Sequence, residues 1–302
     1  MILIYYANRA EKSILDPIKS ELDRRGIKNR YFDLSKLIEN ISEDKNLSKV
    51  YDLVFSRVDN FENINCVIVI GDRREIMFAT LALFVKQVPV IQLAAGDLSE
   101  KISLVDDYFR HLITLMSKKQ VCFTRKSKIN SDSLINTLNL ESNSIFLENP
   151  TLSDVCLERV LAPDRRESYD LILVHPQSLS KKDTQEDVKS IKKLINLNKK
   201  TIIIKGNKDK NYEVLHEYWK SLEDKKNVYV YENLEKEIFL KKLANCDRFI
   251  TNSSCSYYEA PLFLEENKIL RIGNRNKHRE VAKYNIKDMK SSNKIVDFII
   301  KG

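Results

Sequence analysis

Cys246-Asp247-Arg248-Phe249-Ile250-Thr251-Asn252-Ser253-Ser254-Cys255-Ser256-Tyr257-Tyr258-Glu259-Ala260-Pro261 is the stretch on which the reading of this chain turns. Cys246 to Ile250 carries the pattern of a buried strand, hydroxyls and small side chains then make a turn, and a helix follows that ends in a carboxylate. Two readings fit. A helix start offers unpaired N–H groups and the positive end of a macrodipole, which favour a phosphate, while Glu259 could accept from sugar hydroxyls. Ser256-x-x-Glu259 equally fits a capping box that only satisfies the helix's own amides.

Working outward, the same strand-then-helix alternation runs through the whole chain. Apolar runs at Ile2–Tyr6, Val67–Ile70, Val88–Leu93 and Val121–Thr124 alternate with amphipathic stretches. The cycle restarts at Leu171–His175, Thr201–Lys205, Val228–Tyr231, Arg248–Thr251 and Ile269–Ile272. This predicts an α/β protein with two doubly wound parallel-sheet domains, and 302 residues are enough for two cores. The polar segment Leu161 to Ser168, with Pro163, marks the boundary: a first domain over 1–162 and a second over 163–284. The tail 285–302 carries an apolar helical stripe (Ile295, Val296, Ile299, Ile300) suited to crossing back to the first domain.

Composition narrows the class. An apolar fraction of 43% exceeds that of disordered chains, and the longest apolar runs fall far short of a membrane span. Met1 leads directly into a strand pattern, which predicts no signal peptide. The five cysteines are widely spaced without metal-ligand spacing, so they read as free thiols of a cytoplasmic protein, with neither metal nor cofactor expected. The net charge of +8 is scattered along the chain, which predicts neither a nucleic-acid nor a membrane partner and suits an acidic small-molecule substrate.

Ligands of open α/β sheets bind beyond the carboxyl ends of the strands. Asp72 follows the strand ending at Ile70 and also suits an N-cap. Asp97 follows the strand ending at Leu93 and also reads as an ordinary turn residue. Further on, i to i+4 spacing places Asp106 with Arg110 on one helix face and Asp107 with His111 on the next. Exposed pairs of that kind contribute only about 0.3 to 0.5 kcal/mol, so a surface salt bridge is the alternative reading. Three carboxylates converging on one sheet edge would raise at least one pKa, as acid and base chemistry at neutral pH requires. In the second half, His175 ends a strand beside Pro176, while Lys205 to Asp209 and Gly273 to Arg279 close two later strands; Arg9 follows the first strand of the chain.

Taken in order, these segments resemble the UDP-N-acetylglucosamine 2-epimerases, and more closely their hydrolysing branch, which serves sialic-acid-like nonulosonate synthesis. Ala7-Asn8-Arg9-Ala10-Glu11 is similar to the family's Gly-Thr-Arg-x-Glu, Gly71-Asp72-Arg73 to its Gly-Asp-Arg, and His175-Pro176 to its His-Pro. Asp106-Asp107-x-x-Arg110-His111-x-Ile113-Thr114 resembles Asp-Asp-x-x-Arg-His-x-Ile-Thr. Ser253-Ser254 through Glu259-Ala260-Pro261 resembles Ser-Ser-Ser-Gly-x-x-Glu-Ala-Pro, and Ile272 to Arg279 resembles Ile-Gly-Asp-Arg-Gln-Lys-Gly-Arg. The chain departs from the pattern in having six glycines: Ala95-Gly96-Asp97 stands for Gly-Gly-Glu, Cys255-Ser256 for Ser-Gly, and His278 for a loop Gly. Lost glycines restrict positive φ.

The resemblance implies two Rossmann-like domains of GT-B type facing a cleft, a UDP-sugar substrate, and a homodimer as a compatible assembly. It implies removal of the proton at sugar carbon 2 with expulsion of UDP, then hydration of the resulting glycal. Asp72, Asp97 and Asp106 would share the proton transfers, Arg110 would balance their charge, and His175 would assist. Arg9, Ser253, Ser254, Glu259 and Arg279 would hold UDP. A GT-B glycosyltransferase, or a silent UDP-sugar binder, stays open beside this reading.

Overall fold

The computed structural model describes residues 1–34, 47–58, 63–98, 105–150, 168–177, 180–206, 210–283 and 291–301. The chain divides into two compact units, Met1–Asp154 with Asn285–Gly302, and Val155–Tyr284. The polar boundary segment expected over 161–168 lies outside the described residues apart from Ser168.

Unit 1 holds β1 (Ile2–Tyr6), β2 (Asn29–Asp33), β3 (Cys66–Ile70), β4 (Val90–Leu93), β5 (Lys119–Cys122) and β6 (Ser144–Phe146). They form one six-stranded sheet in the order β2-β1-β3-β4-β5-β6, with every pairing parallel. Its helices are α1 (Arg9–Arg24), α2 (Leu47–Val58), α3 (Arg74–Val85), α4 (Val105–Met116), α5 (Arg125–Asn136) and the C-terminal α10 (Ser291–Ile300). Strand alternation sorts the core into two faces. Ile2, Ile4, Ile68 and Ile91 point to α1 and α10, whereas Leu3, Tyr5, Val67 and Val90 point to α2, α3 and α4. Each such fully buried side chain contributes about 1.5–3 kcal/mol relative to exposure.

The tail is fixed to unit 1 by more than its apolar stripe. Arg25 donates to Asp297 Oδ1 at 2.5 Å and to the Asn293 carbonyl at 3.1 Å. Lys119, buried at the start of β5, donates to the Phe298 carbonyl at 2.8 Å and to the Lys301 carbonyl, so its charge faces the negative end of the α10 dipole.

Unit 2 holds β7 (Tyr169–Val174), β8 (Lys200–Lys205), β9 (Val228–Tyr231), β10 (Arg248–Thr251) and β11 (Ile269–Arg271). Their order is β11-β10-β7-β8-β9, again all parallel. Between them run α6 (Lys181–Leu194), α7 (Tyr212–Lys220), α8 (Lys236–Asn245) and the short α9 (Cys255–Tyr258). Trp219, Leu215 and Ile191 pack on Ile172, Ile203 and Ile250. At the amino ends of the strands, buried Asp170 pairs with Lys199 at 2.7 Å and with the Arg248 guanidinium. This edge is tied by ions away from any ligand position.

In both sheets the strand order reverses direction once. The reversal falls between β1 and β3 in unit 1 and between β7 and β10 in unit 2. Loops leaving the carboxyl ends of two such strands part to opposite faces and open a crevice, the usual ligand position of the fold.

Candidate active site

At the unit 1 crevice, β1 ends in Ala7-Asn8-Arg9 and β3 ends in Gly71-Asp72-Arg73. Asn8 is the N-cap of α1, and Arg9 stands exposed at the first helical position. Asp72 is not a cap: the N-cap of α3 is Arg73, and it makes no side-chain cap bond. The capping alternative for Asp72 is therefore removed.

The carboxylates are gathered by Arg110, which is 3% exposed. Its guanidinium donates to the Asp97 carbonyl at 2.6 Å, to Asp107 Oδ1 at 2.9 Å, and to the Asp72 carboxylate. α4 is set for this by β4: buried Gln92 donates to the Arg110 carbonyl at 3.1 Å and accepts from the Thr114 hydroxyl at 2.7 Å. From α4, Asp107 meets Arg110 through i,i+3 spacing and is buried, while Asp106 is exposed on the first turn. The i to i+4 pairing did not include this i,i+3 neighbour, which is also within reach on a helix. Asp97 is buried, and its Oδ1 accepts from the Leu98 amide at 3.1 Å. Beside Arg110, His111 is half-buried with Nδ1 unpartnered, and burial and the Arg110 charge lower its pKa.

A further carboxyl in this crevice escaped sequence reasoning. Glu11 is buried, and burial pushes its pKa up to about 8 against the pull of the Ala7 amide and Arg73. Gly71, at φ +89°, allows the approach, since a Cβ there would lie 2.9 Å from Glu11 Oε1. Gly96 is equally fixed, because at φ +68° its Cβ would fall 2.0 Å from the Ser127 carbonyl oxygen.

The unit 2 crevice is built from amides and hydroxyls. The Asn252 side chain accepts from the His175 amide at 2.8 Å and donates to the His175 carbonyl at 2.8 Å, extending the β7–β10 pairing by one rung. It also donates to Asp187 on α6 at 3.0 Å, as Gln177 does. Burial raises the Asp187 pKa, with these two donors pulling the other way. The Asn252 carbonyl accepts from Asn276 at 2.5 Å, and Arg275 donates to the Pro176 carbonyl at 2.6 Å. Burial, helped by Arg275, pushes His175 down to about 3, so its ring is neutral at physiological pH. It can donate or accept a hydrogen bond there but carries no charge to a phosphate.

The stretch Ser253 to Glu259 differs from a capping box. Ser256 lies second in α9, and its hydroxyl donates to the Ser253 carbonyl at 2.7 Å, which leaves Glu259 without a capping partner in it. α9 is one turn of four residues passing into a 3₁₀ turn at Ala260–Leu262, so its dipole is short. The Ser253 amide bonds the Thr251 hydroxyl at 2.9 Å, and Ser254 is the N-cap. Burial raises the Glu259 pKa, partly offset by Lys236. Arg279 reaches the same stretch, donating to the Tyr258 hydroxyl at 2.8 Å. The glycine missing at 256 is not needed for the backbone, because that position is helical. Of the loop Lys205 to Asp209, residues 207–209 lie outside the described residues.

A sequence profile described as UDP-N-acetylglucosamine 2-epimerase matches residues 25–300. The chain belongs to the UDP-N-acetylglucosamine 2-epimerase family. One relative from Campylobacter jejuni, the GDP/UDP-N,N'-diacetylbacillosamine 2-epimerase (hydrolyzing), is 30% identical over 261 residues, covering 79% of this chain and 65% of that protein. The UDP-N,N'-diacetylbacillosamine 2-epimerase (hydrolyzing) of Legionella pneumophila is 26% identical over 238 residues, covering 76% of this chain and 61% of its own length. The chain thus spans somewhat less than two thirds of the curated relatives it matches. In fold it matches the Methanocaldococcus jannaschii UDP-GlcNAc 2-epimerase solved with UDP-GlcNAc and UDP, at TM-score 0.75 and 16% identity over 100% of this chain and 99% of that one. The family's two-domain α/β fold of GT-B type is the fold of this chain. Among the described residues no helix is long and apolar enough to cross a membrane.

Proposed function

We propose that this member of the family is a hydrolysing 2-epimerase of UDP-HexNAc sugars. In that reaction a base takes the proton from sugar carbon 2, the electron pair forms the double bond to carbon 1, and UDP leaves with the glycosidic electrons. Water then adds its hydroxyl to carbon 1, and a proton reaches carbon 2 on the opposite face, releasing a free 2-epimerised sugar such as N-acetylmannosamine. Such chemistry needs more than one proton-handling group in fixed positions.

The observation that carries the reading is Arg110, which draws Asp72 and Asp107 onto one guanidinium beside Asp97 at the crevice of unit 1. Asp72, Asp97 and Asp106 share the proton transfers and the activation of water, with Arg110 balancing their charge. His175, neutral, supplies a hydrogen bond at the phosphates. Arg9, Ser253, Ser254 and Arg279 bind the diphosphate of UDP, and Glu259 accepts from the ribose. The names of the relatives favour a diacetamido-sugar donor over UDP-N-acetylglucosamine.

Incubation with both donors in heavy-oxygen water, followed by mass analysis, is the test. Labelled free sugar beside UDP supports the reading; an intact UDP-sugar epimer, or transfer only when an acceptor is added, overturns it. The exposed Phe84 and Val85 of α3 and Tyr108 and Leu112 of α4 favour a homodimer, which sedimentation of the chain and of a Tyr108→Glu/Leu112→Glu variant would resolve. Cys66, Cys122, Cys246 and Cys255 are free thiols, which suits a reducing cytoplasm.

A further inference from the structure

Glu11 has no part in the proposed chemistry, yet it stands where β1 and β3 separate. Its Oε2 accepts from the Ala7 amide at 2.6 Å and the Asn8 amide at 3.2 Å, and the Asn8 side chain returns a bond to the Glu11 amide at 2.8 Å. That much is a capping box. Capping does not explain the second oxygen. Oε1 is packed against Gly71, so the carboxyl is wedged between the turn that carries Arg9 and the turn that carries Asp72.

The polar groups around it come from three elements. The turn after β3 brings Asp72 and Arg73, α3 brings Glu75, and its own turn brings the two amides. Glu75 is itself buried and held by Arg73 at 3.2 Å and Arg74 at 3.4 Å. A carboxylate at Glu11 would thus add another negative charge, out of water, beside Asp72 and Glu75. A neutral acid adds none and still accepts both amide bonds.

We propose that Glu11 is a positioning residue of this crevice: as a neutral acid it holds the Arg9 and Asp72 turns at one spacing, and its ionisation forces them apart. The effect on turnover rests on the epimerase reading; the ionisation itself does not. In this chain the carboxyl would lose its proton near pH 8, so an alkaline decline of activity follows from a group that never touches substrate.

The test uses the full chain, Glu11→Gln as the isostere that cannot ionise, and Glu11→Ala, which removes the bridge. Thermal unfolding is followed from pH 5 to 9. The melting temperature of Glu11→Gln relative to the parent should climb as pH rises towards 8, because only the parent must release a buried proton; a difference that does not change with pH overturns the proposal. Turnover of the UDP-sugar donors is measured over the same range. The parent kcat should fall about tenfold per pH unit above the ionisation, while Glu11→Gln stays within about threefold of the parent at pH 7 and does not decline. A folded Glu11→Gln that follows the parent's alkaline decline also overturns it. Glu11→Ala, which frees both turns, should lose kcat and weaken UDP binding at every pH; if it does not fold, Glu11→Gln decides alone. A parent that turns over no donor defeats the epimerase reading, while the unfolding series still decides Glu11.

Discussion

The two crevices share one topology and differ in chemistry. In unit 1 the strands part around Asp72, Asp107, Arg110, Glu11, Arg73 and Glu75. In unit 2 they part around the Asn252 amide, a neutral His175, Gln177 and the hydroxyls of Thr251 and Ser253, with Asp187 as the buried carboxyl behind them. A sheet reversal supplies a place for a ligand and nothing more; the side chains that line it decide whether protons move there or dipoles bind.

Breaking the charged side should have the largest effect. Arg110→Ala removes the guanidinium from a buried Asp107 and should cost about 3–5 kcal/mol of stability in denaturant unfolding, together with all detectable UDP release. Arg110→Met at reduced temperature would separate loss of fold from loss of turnover.

Glu11 and His175 give the two crevices pH contributions of opposite sign. Glu11 has its pKa raised in the fold from 4.5 to about 8, so its contribution to stability is complete below pH 4.5 and is lost as pH rises towards 8. His175 is lowered from 6.5 to about 3, so its contribution is complete above pH 6.5 and is lost as pH falls towards 3. Each slope approaches about 1.4 kcal/mol per pH unit within its window. Hydrogen exchange of Glu11→Gln should therefore lose part of the alkaline weakening of unit 1, and His175→Gln part of the acid weakening of unit 2; either change appearing in the other unit would break the comparison.

On the amide side, Asn252→Ala removes the extra rung between β7 and β10 and one of the donors to Asp187. It should cost about 1–3 kcal/mol and weaken UDP binding in calorimetry more than it slows turnover at saturating substrate. The smallest effect is a control away from both crevices: Lys189→Ala breaks an exposed pair with Glu186 and should change stability by less than about 0.5 kcal/mol.

Sequence carried most of the architecture, because β1, β3, β4, β7, β8 and β10 are apolar runs between turns. β2 (Asn29–Asp33) and β6 (Ser144–Phe146) escaped it, since each is an edge strand whose residues are only part-buried or exposed and carry no apolar run. At the site, Asp72, Asp97 and Arg110 were legible from their places after strands or on a periodic helix. The Asp107–Arg110 pair was not, because helix rotation is a tertiary property. Asn252 read as a turn residue, since its bonds go to His175, distant in sequence. Glu11 read as part of a motif, and only the packing of β3 against β1 reveals what its second oxygen meets.

The clasp that Arg25 and Lys119 place on α10 bears on how the chain is made. Ile295, Val296 and Ile299 complete a face of the sheet begun by Ile2 and Ile4, so β1 emerges from the ribosome well before α10 and that face stays open until α10 follows. At about 5–20 residues per second that wait lasts many seconds, while unit 2, one uninterrupted segment, can fold in the interval. A stop codon shortly before residue 291 would thus leave an apolar sheet face open in a protein whose unit 2 is intact, and aggregation rather than simple loss of activity is the expected outcome.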